Sequence, residues 1–141
     1  MMCAHSGPVT GTIRLFLPTD PRNLAALRVL SCAAARLSGL GSTDIDAMRM
    51  AVDEAATLLL PLAAGVEAPL EVTFNLAPEW MHASLSVCCS PAAQVDKQAL
   101  GWLVLTELDP DIRLTRDDAS VSISVQRRTH ARQRRLPMNV R

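Results

Sequence analysis

Two runs of alternating side chains, separated by a proline, constrain this chain more than any other feature. Leu70, Val72, Phe74 and Leu76 alternate with Glu71, Thr73 and Asn75; Met81, Ala83, Leu85 and Val87 alternate with His82, Ser84, Ser86 and Cys88. A period of two places every apolar side chain on one face of a strand and every polar one on the other. Pro78-Glu79 lies between the runs, so the two strands pair antiparallel through a tight turn, one face dry and one wet. A sheet with one dry face needs a layer to cover it.

The rest of the chain supplies that layer and the outer strands. Ile13, Leu15 and Leu17 alternate with Thr12, Arg14 and Phe16, a first strand. Asp20-Pro21 offers an N-cap followed by proline at the first helical position, and Leu24, Leu27, Leu30, Ala34 and Leu37 form one apolar stripe. Gly39 and Gly41 close that helix. Ser42-Thr43 reads as the cap of a second helix whose stripe is Ile45, Met48, Val52, Ala55, Leu59 and Leu62, ending near Pro61. A third helix is expected over roughly 95–108, with Val95, Ala99, Trp102, Leu103 and Thr106 near one face. Ile112 and Leu114 make a short strand, Asp117-Asp118 a turn, and Val121, Ile123 and Val125 a last strand. The order β-α-α-β-β-α-β-β predicts an α/β two-layer sandwich, a mostly antiparallel sheet with helices on one face.

The 141 residues fit one domain, expected over 11–128, with a loose leader over 1–10 and a basic flexible tail over 129–141. With 49% hydrophobic and 20% charged residues the chain buries enough apolar surface to fold, which excludes intrinsic disorder. Aromatic residues are only 3%, so the core is aliphatic and the composition argues against a base-stacking platform, which needs exposed rings. The net charge of +0 conceals a division: residues 1–126 hold eight basic side chains against 14 acidic ones, while six arginines follow from Arg127 onward. That tail either tracks phosphates or forms a solvated terminus; Pro137 and the lack of interleaved aromatics favour the second.

No secretory signal and no bilayer-length apolar run is visible, which points to a cytoplasmic protein with reduced thiols. Cys3, Cys32, Cys88 and Cys89 form no C-x-x-C, and His5, His82 and His130 share no spacing, so no metal site is expected. Cys88 and Cys89 fall on opposite faces of a strand end, and a small buried hydrophobe is the simplest role for such a residue. Trp80 and Trp102 read as packing anchors.

Met48-Arg49-Met50-Ala51-Val52-Asp53-Glu54-Ala55-Ala56-Thr57 resembles the second-helix motif of the anti-sigma-factor serine kinases, which share the ATPase fold of histidine kinases and gyrase. Gly101-Trp102-Leu103-Val104-Leu105-Thr106-Glu107-Leu108 is similar to the family's Gly-Leu helix, and residues 120–127 to its closing strand. The resemblance runs from about residue 14 to 128 in the same element order. It is closest to the actinobacterial anti-sigma factors, in which nucleotide motifs are often eroded.

What the resemblance implies depends on which motif positions survive. Glu54 matches the family's general base; the alternative is an exposed helical glutamate that only supports the second helix. The position four residues later, where the family places an Asn for Mg²⁺, is Leu58, which has no oxygen donor. Where the family has an Asp and glycines after a central strand, this chain has Val87-Cys88-Cys89-Ser90-Pro91; Gly101 remains as a vestige of the nucleotide loop. Arg28 matches a first-helix arginine that contacts partners, or is a solvated helix residue. Leu24 stands one turn earlier, where the family has an acid. The resemblance thus implies an anti-sigma factor with a degenerate ATP site, acting without catalysis in stress-response transcription. It would sequester a sigma factor as a homodimer and be released by an anti-anti-sigma factor through partner switching. No cofactor, membrane or nucleic-acid partner is implied. Mg-ATP belongs to the alternative, an active serine kinase that phosphorylates an anti-anti-sigma factor.

Overall fold

The hairpin predicted around Pro78-Glu79 forms part of a five-stranded sheet in the computed structural model, which describes residues 7–65, 67–109 and 111–129. Strands β1 (Gly11–Leu17), β2 (Leu70–Ala77), β3 (Trp80–Cys88), β4 (Arg113–Arg116) and β5 (Ser120–Arg128) lie in the order β1-β2-β3-β5-β4. Every neighbouring pair is antiparallel. Helices α1 (Leu24–Leu37), α2 (Ser42–Leu59) and α3 (Leu100–Leu108) complete a two-layer α/β sandwich in the predicted element order.

Period-two alternation decides which face of the sheet is dry. Val72, Phe74, Met81, Ala83, Leu85, Ile123 and Val125 are buried beneath the helices, and Phe74 truncated to Ala would cost about 3–5 kcal/mol. Thr73, Ser84, Ser86, Ser122 and Ser124 stand half-exposed on the other face. Trp80 belongs to that open face rather than to the core: its ring stacks on His82 and its Nε1–H donates to Gln126 Oε1 at 3.2 Å. Pro78-Glu79 makes the two-residue turn, with Glu79 at φ 60°, a conformation that normally favours glycine. The turn is held from both sides, because Glu79 N–H donates to Ser38 O and Glu79 O accepts from Thr129 N–H.

Asp20 caps a 3-10 turn over Pro21–Asn23, accepting from Arg22 N–H, and α1 follows directly. Its C-terminus closes as the glycine predicts: Gly39 takes φ 89°, Gly39 N–H donates to Arg36 O and Leu40 N–H to Ala35 O, a Schellman pair. The buried stripe is rotated from the expected one. Leu27, Ser31, Ala34 and Ala35 face inward, whereas Leu30 and Leu37 are exposed, since small residues let α1 lie close to the layer beneath. On α2 the predicted stripe from Ile45 to Leu59 is buried, but the cap is Gly41 and not Ser42-Thr43, with no side-chain cap bond.

The largest departure is α3. It begins at Leu100, not near residue 95, because Asp96 Oδ1 accepts from Gln98 N–H and holds 96–99 in a turn. Its buried residue is Leu105, while Leu103 and Thr106 face solvent. Arg127, read as the first residue of a basic stretch, is instead the seam of the two layers. It sits in β5 in phase with Val121, Ile123 and Val125; its Nε donates to Asp44 Oδ1 at 3.0 Å and its Nη1 to Leu108 O at 2.9 Å. Val9, within the predicted leader, donates to Leu37 O at 2.7 Å; residues 1–6 and 130–141 lie outside the described part of the chain.

Candidate functional site

α2 carries Glu54 and Leu58 one turn apart on the side that packs against α3. Gly101 is the second residue of α3, and it lets that helix come close: a Cβ built on it would stand 2.7 Å from Glu54 Oε2 and 3.6 Å from Leu58 Cγ. The three positions singled out by the nucleotide motif therefore meet at one point. The Glu54 carboxylate lies at the α3 N-terminus, where Ala99 provides no side-chain cap, so the helix dipole favours its negative charge. No hydrogen bond or ion pair joins Glu54 to a side chain among the described residues.

These residues do not fit a magnesium-bound triphosphate. Mg²⁺ takes hard oxygen ligands, and the side chain beside Glu54 is the hydrocarbon of Leu58. Among the described residues no cluster of three His, Cys, Asp or Glu side chains could hold a metal. The segment after β3 has no glycine to bring backbone N–H groups around phosphates, and a cation pins it down. Arg116, from β4, donates through Nη2 to Ser90 O at 2.7 Å and through Nη1 to Ala93 O. Nη1 also lies 3.7 Å from the Sγ of buried Cys89, while Cys88 on the opposite face is exposed. A groove of about 630 Å³ beside this segment is bounded by Val95, Lys97, Leu114, Arg116 and Val121. Lys97 lies 5.5 Å from the Trp102 ring centroid, so Trp102 joins packing to a cation contact at the groove's edge.

The second candidate surface is the outside of α1. Arg28 Nε donates to Asp53 Oδ1 on α2 at 2.9 Å, tying the two helices together beside Glu54. Leu24 is half-buried and packs against the core. Between and beyond them, Ala26, Val29, Leu30, Ala33 and Leu37 face solvent, with Val29 68% and Leu37 45% exposed. A helix that buries one apolar side and shows another to water has surface left for a partner. Arg28 and Leu24 thus flank the apolar face but do not form its centre. Asp53, Asp44 and Arg116 were not singled out from the sequence. Arg127 did carry a signal, because extending the β5 alternation by one step puts a cation on the dry face, where it requires an acid.

A solved structure of the RsbU and RsbW domains of Rv1364c from Mycobacterium tuberculosis is similar to this chain, with a TM-score of 0.65 and 15% identity. The fold is RsbW-like. The match covers 84% of this chain, which spans only 32% of the length of that one. No family profile matches the sequence, and no curated protein does.

Proposed function

We propose that this protein is an anti-sigma factor that holds a sigma factor by direct protein–protein contact, without catalysis, and is released when an anti-anti-sigma protein competes. The observation that carries the reading is the solvent-facing apolar side of α1, Ala26, Val29, Leu30, Ala33 and Leu37, on an RsbW-like fold. A face of this kind is what an interface of about 1,600 Å² needs at its centre. Leu58 beside Glu54 supports the non-catalytic part of the reading, since the site keeps a base and lacks a metal ligand. Homodimerisation belongs to the same proposal and is read out by the mass of the purified protein.

Affinity capture of the tagged protein from its host, followed by mass spectrometry, tests the reading. A stoichiometric sigma factor is the expected result, and Val29→Asp should remove it. Recovery of neither a sigma factor nor an anti-anti-sigma protein overturns the proposal. The kinase reading draws on one observation, the closeness of Glu54 to Gly101. Calorimetry with Mg-ATP decides it: micromolar binding abolished by Glu54→Gln would favour the enzyme.

A further inference from the structure

The end of β5 is clamped where α2 begins and α3 ends, because Arg127 bonds both Asp44 and Leu108 O. Glu54 meets Gly101 at the other end of the same helix pair, so α2 and α3 run antiparallel, with about 15 Å between the two points along α2 and about 11 Å along α3 at about 1.5 Å per residue. Along the outside of this pair three matched levels can be read. Asp46 on α2 and Glu107 on α3 lie nearest the clamp, both exposed. Met50 and Leu103 follow, 42% and 55% exposed. Glu54 and Leu100 come last, with Leu100 74% exposed. No hydrogen bond or ion pair joins any of the three carboxylates to a side chain among the described residues. The surface is acidic with apolar side chains interleaved, and it starts where the described chain leaves the domain.

The chain continues past Thr129 for residues 130–141, which contain Arg132, Arg134, Arg135 and Arg141, no carboxylate side chain, and the apolar Leu136, Met138 and Val140. Thr129 itself is anchored, its N–H donating to Glu79 O at 2.9 Å. An extended chain advances about 3.3 Å per residue, so Arg132 reaches about 10 Å and Arg135 about 20 Å from that anchor. The ~10 Å that three extended residues put between Arg132 and Arg135 is close to the ~12 Å that eight helical residues put between Asp46 and Glu54 on α2. We propose that the outer surface of α2 and α3 is a docking site for residues 130–141 of the same chain. Arginines pair with Asp46, Glu107 and Glu54, and Leu136 and Met138 cover Leu100 and Leu103. Glu54 thereby becomes the counter-charge of an arginine, and the tail lies across the junction of Glu54, Leu58 and Gly101. Three pairings on one tether reinforce one another by effective concentration, although each exposed pair is weak by itself.

The test uses the full chain carrying Arg132→Lys, Arg134→Lys and Arg135→Lys, treated with a zero-length carbodiimide that joins amines to carboxylates. Lys97 is the sole native lysine, so the new links are readily assigned. Links from position 134 or 135 to Glu54, and from 132 to Asp46 or Glu107, are expected within one chain in mixed light and heavy isotope samples. Links only between chains, or only to other carboxylates, overturn the proposal. Hydrogen exchange gives a second readout: in the full chain with all three arginines changed to Glu, amides of 100–108 should exchange at least about fivefold faster, and unchanged rates overturn it. The proposal does not depend on the sigma-factor reading, which the affinity capture tests separately.

Discussion

At the scale of single residues the contact between Glu54 and Gly101 is the most informative. Alanine at 101 gains about 1 kcal/mol of helix propensity, but its Cβ would displace Glu54 Oε2 from 2.7 Å. The carboxylate is the end of a flexible side chain, so that displacement is cheap, and Gly101→Ala should change stability by less than about 1 kcal/mol. In a Glu54→Ala background the same substitution should stabilise by the full ~1 kcal/mol, and urea titration of the double-mutant cycle reads the difference. A second residue-scale prediction concerns His82. Partial burial pushes its imidazole below the ordinary 6.5, with Asp109 opposing the shift and Arg113 adding to it. The native protein therefore resists protonation more than the unfolded chain does. Stability present above that ordinary value is lost as pH falls through the folded-state value. Between about pH 7 and 5 the melting temperature of His82→Asn should fall less than that of the wild type. Gly101 was visible in the sequence as a motif remnant; its contact with Glu54 was not, because the two lie far apart in the chain and meet only when α3 packs on α2.

At the scale of elements one charged seam joins the layers among the described residues. Asp44 is 3% exposed and Arg127 holds it from β5. Removing one partner of a buried pair leaves the other charge uncompensated, so Asp44→Ala should cost about 3 kcal/mol or more in chemical denaturation. The outer face of α1 behaves oppositely. Val29→Asp touches no core residue and should alter stability by no more than about 0.5 kcal/mol, while weakening partner capture at least tenfold. The element boundaries show where sequence reasoning stops. The hairpin was legible because alternation and a turn proline act locally. The start of α3 was not, because Leu100-Gly101-Trp102-Leu103-Val104-Leu105 is apolar at nearly every position and marks no face. Which of its sides is buried depends on where α2 leaves room.

At the scale of the whole molecule a folded-state ligand is recognised by the stability it adds. If the proposed anti-sigma reading holds, a sigma factor at about a hundredfold excess over its Kd stabilises the protein by about 2.7 kcal/mol, a clear upward shift of the melting temperature. On the same reading millimolar Mg-ATP should give no such shift, since Leu58 offers the metal no oxygen and Arg116 pins the segment after β3. Both are measured in one thermal-shift experiment. The sequence by itself determined the element order, the dry and wet faces of the sheet and the absence of an oxygen donor one turn beyond Glu54. Each of these follows from residue type and local spacing. Only the tertiary structure decided that Arg127 binds Asp44, that Arg116 pins the segment after β3, and that Val29, Leu30 and Leu37 of α1 are exposed. Those depend on which distant surfaces pack together, and a local period carries no information about its partner.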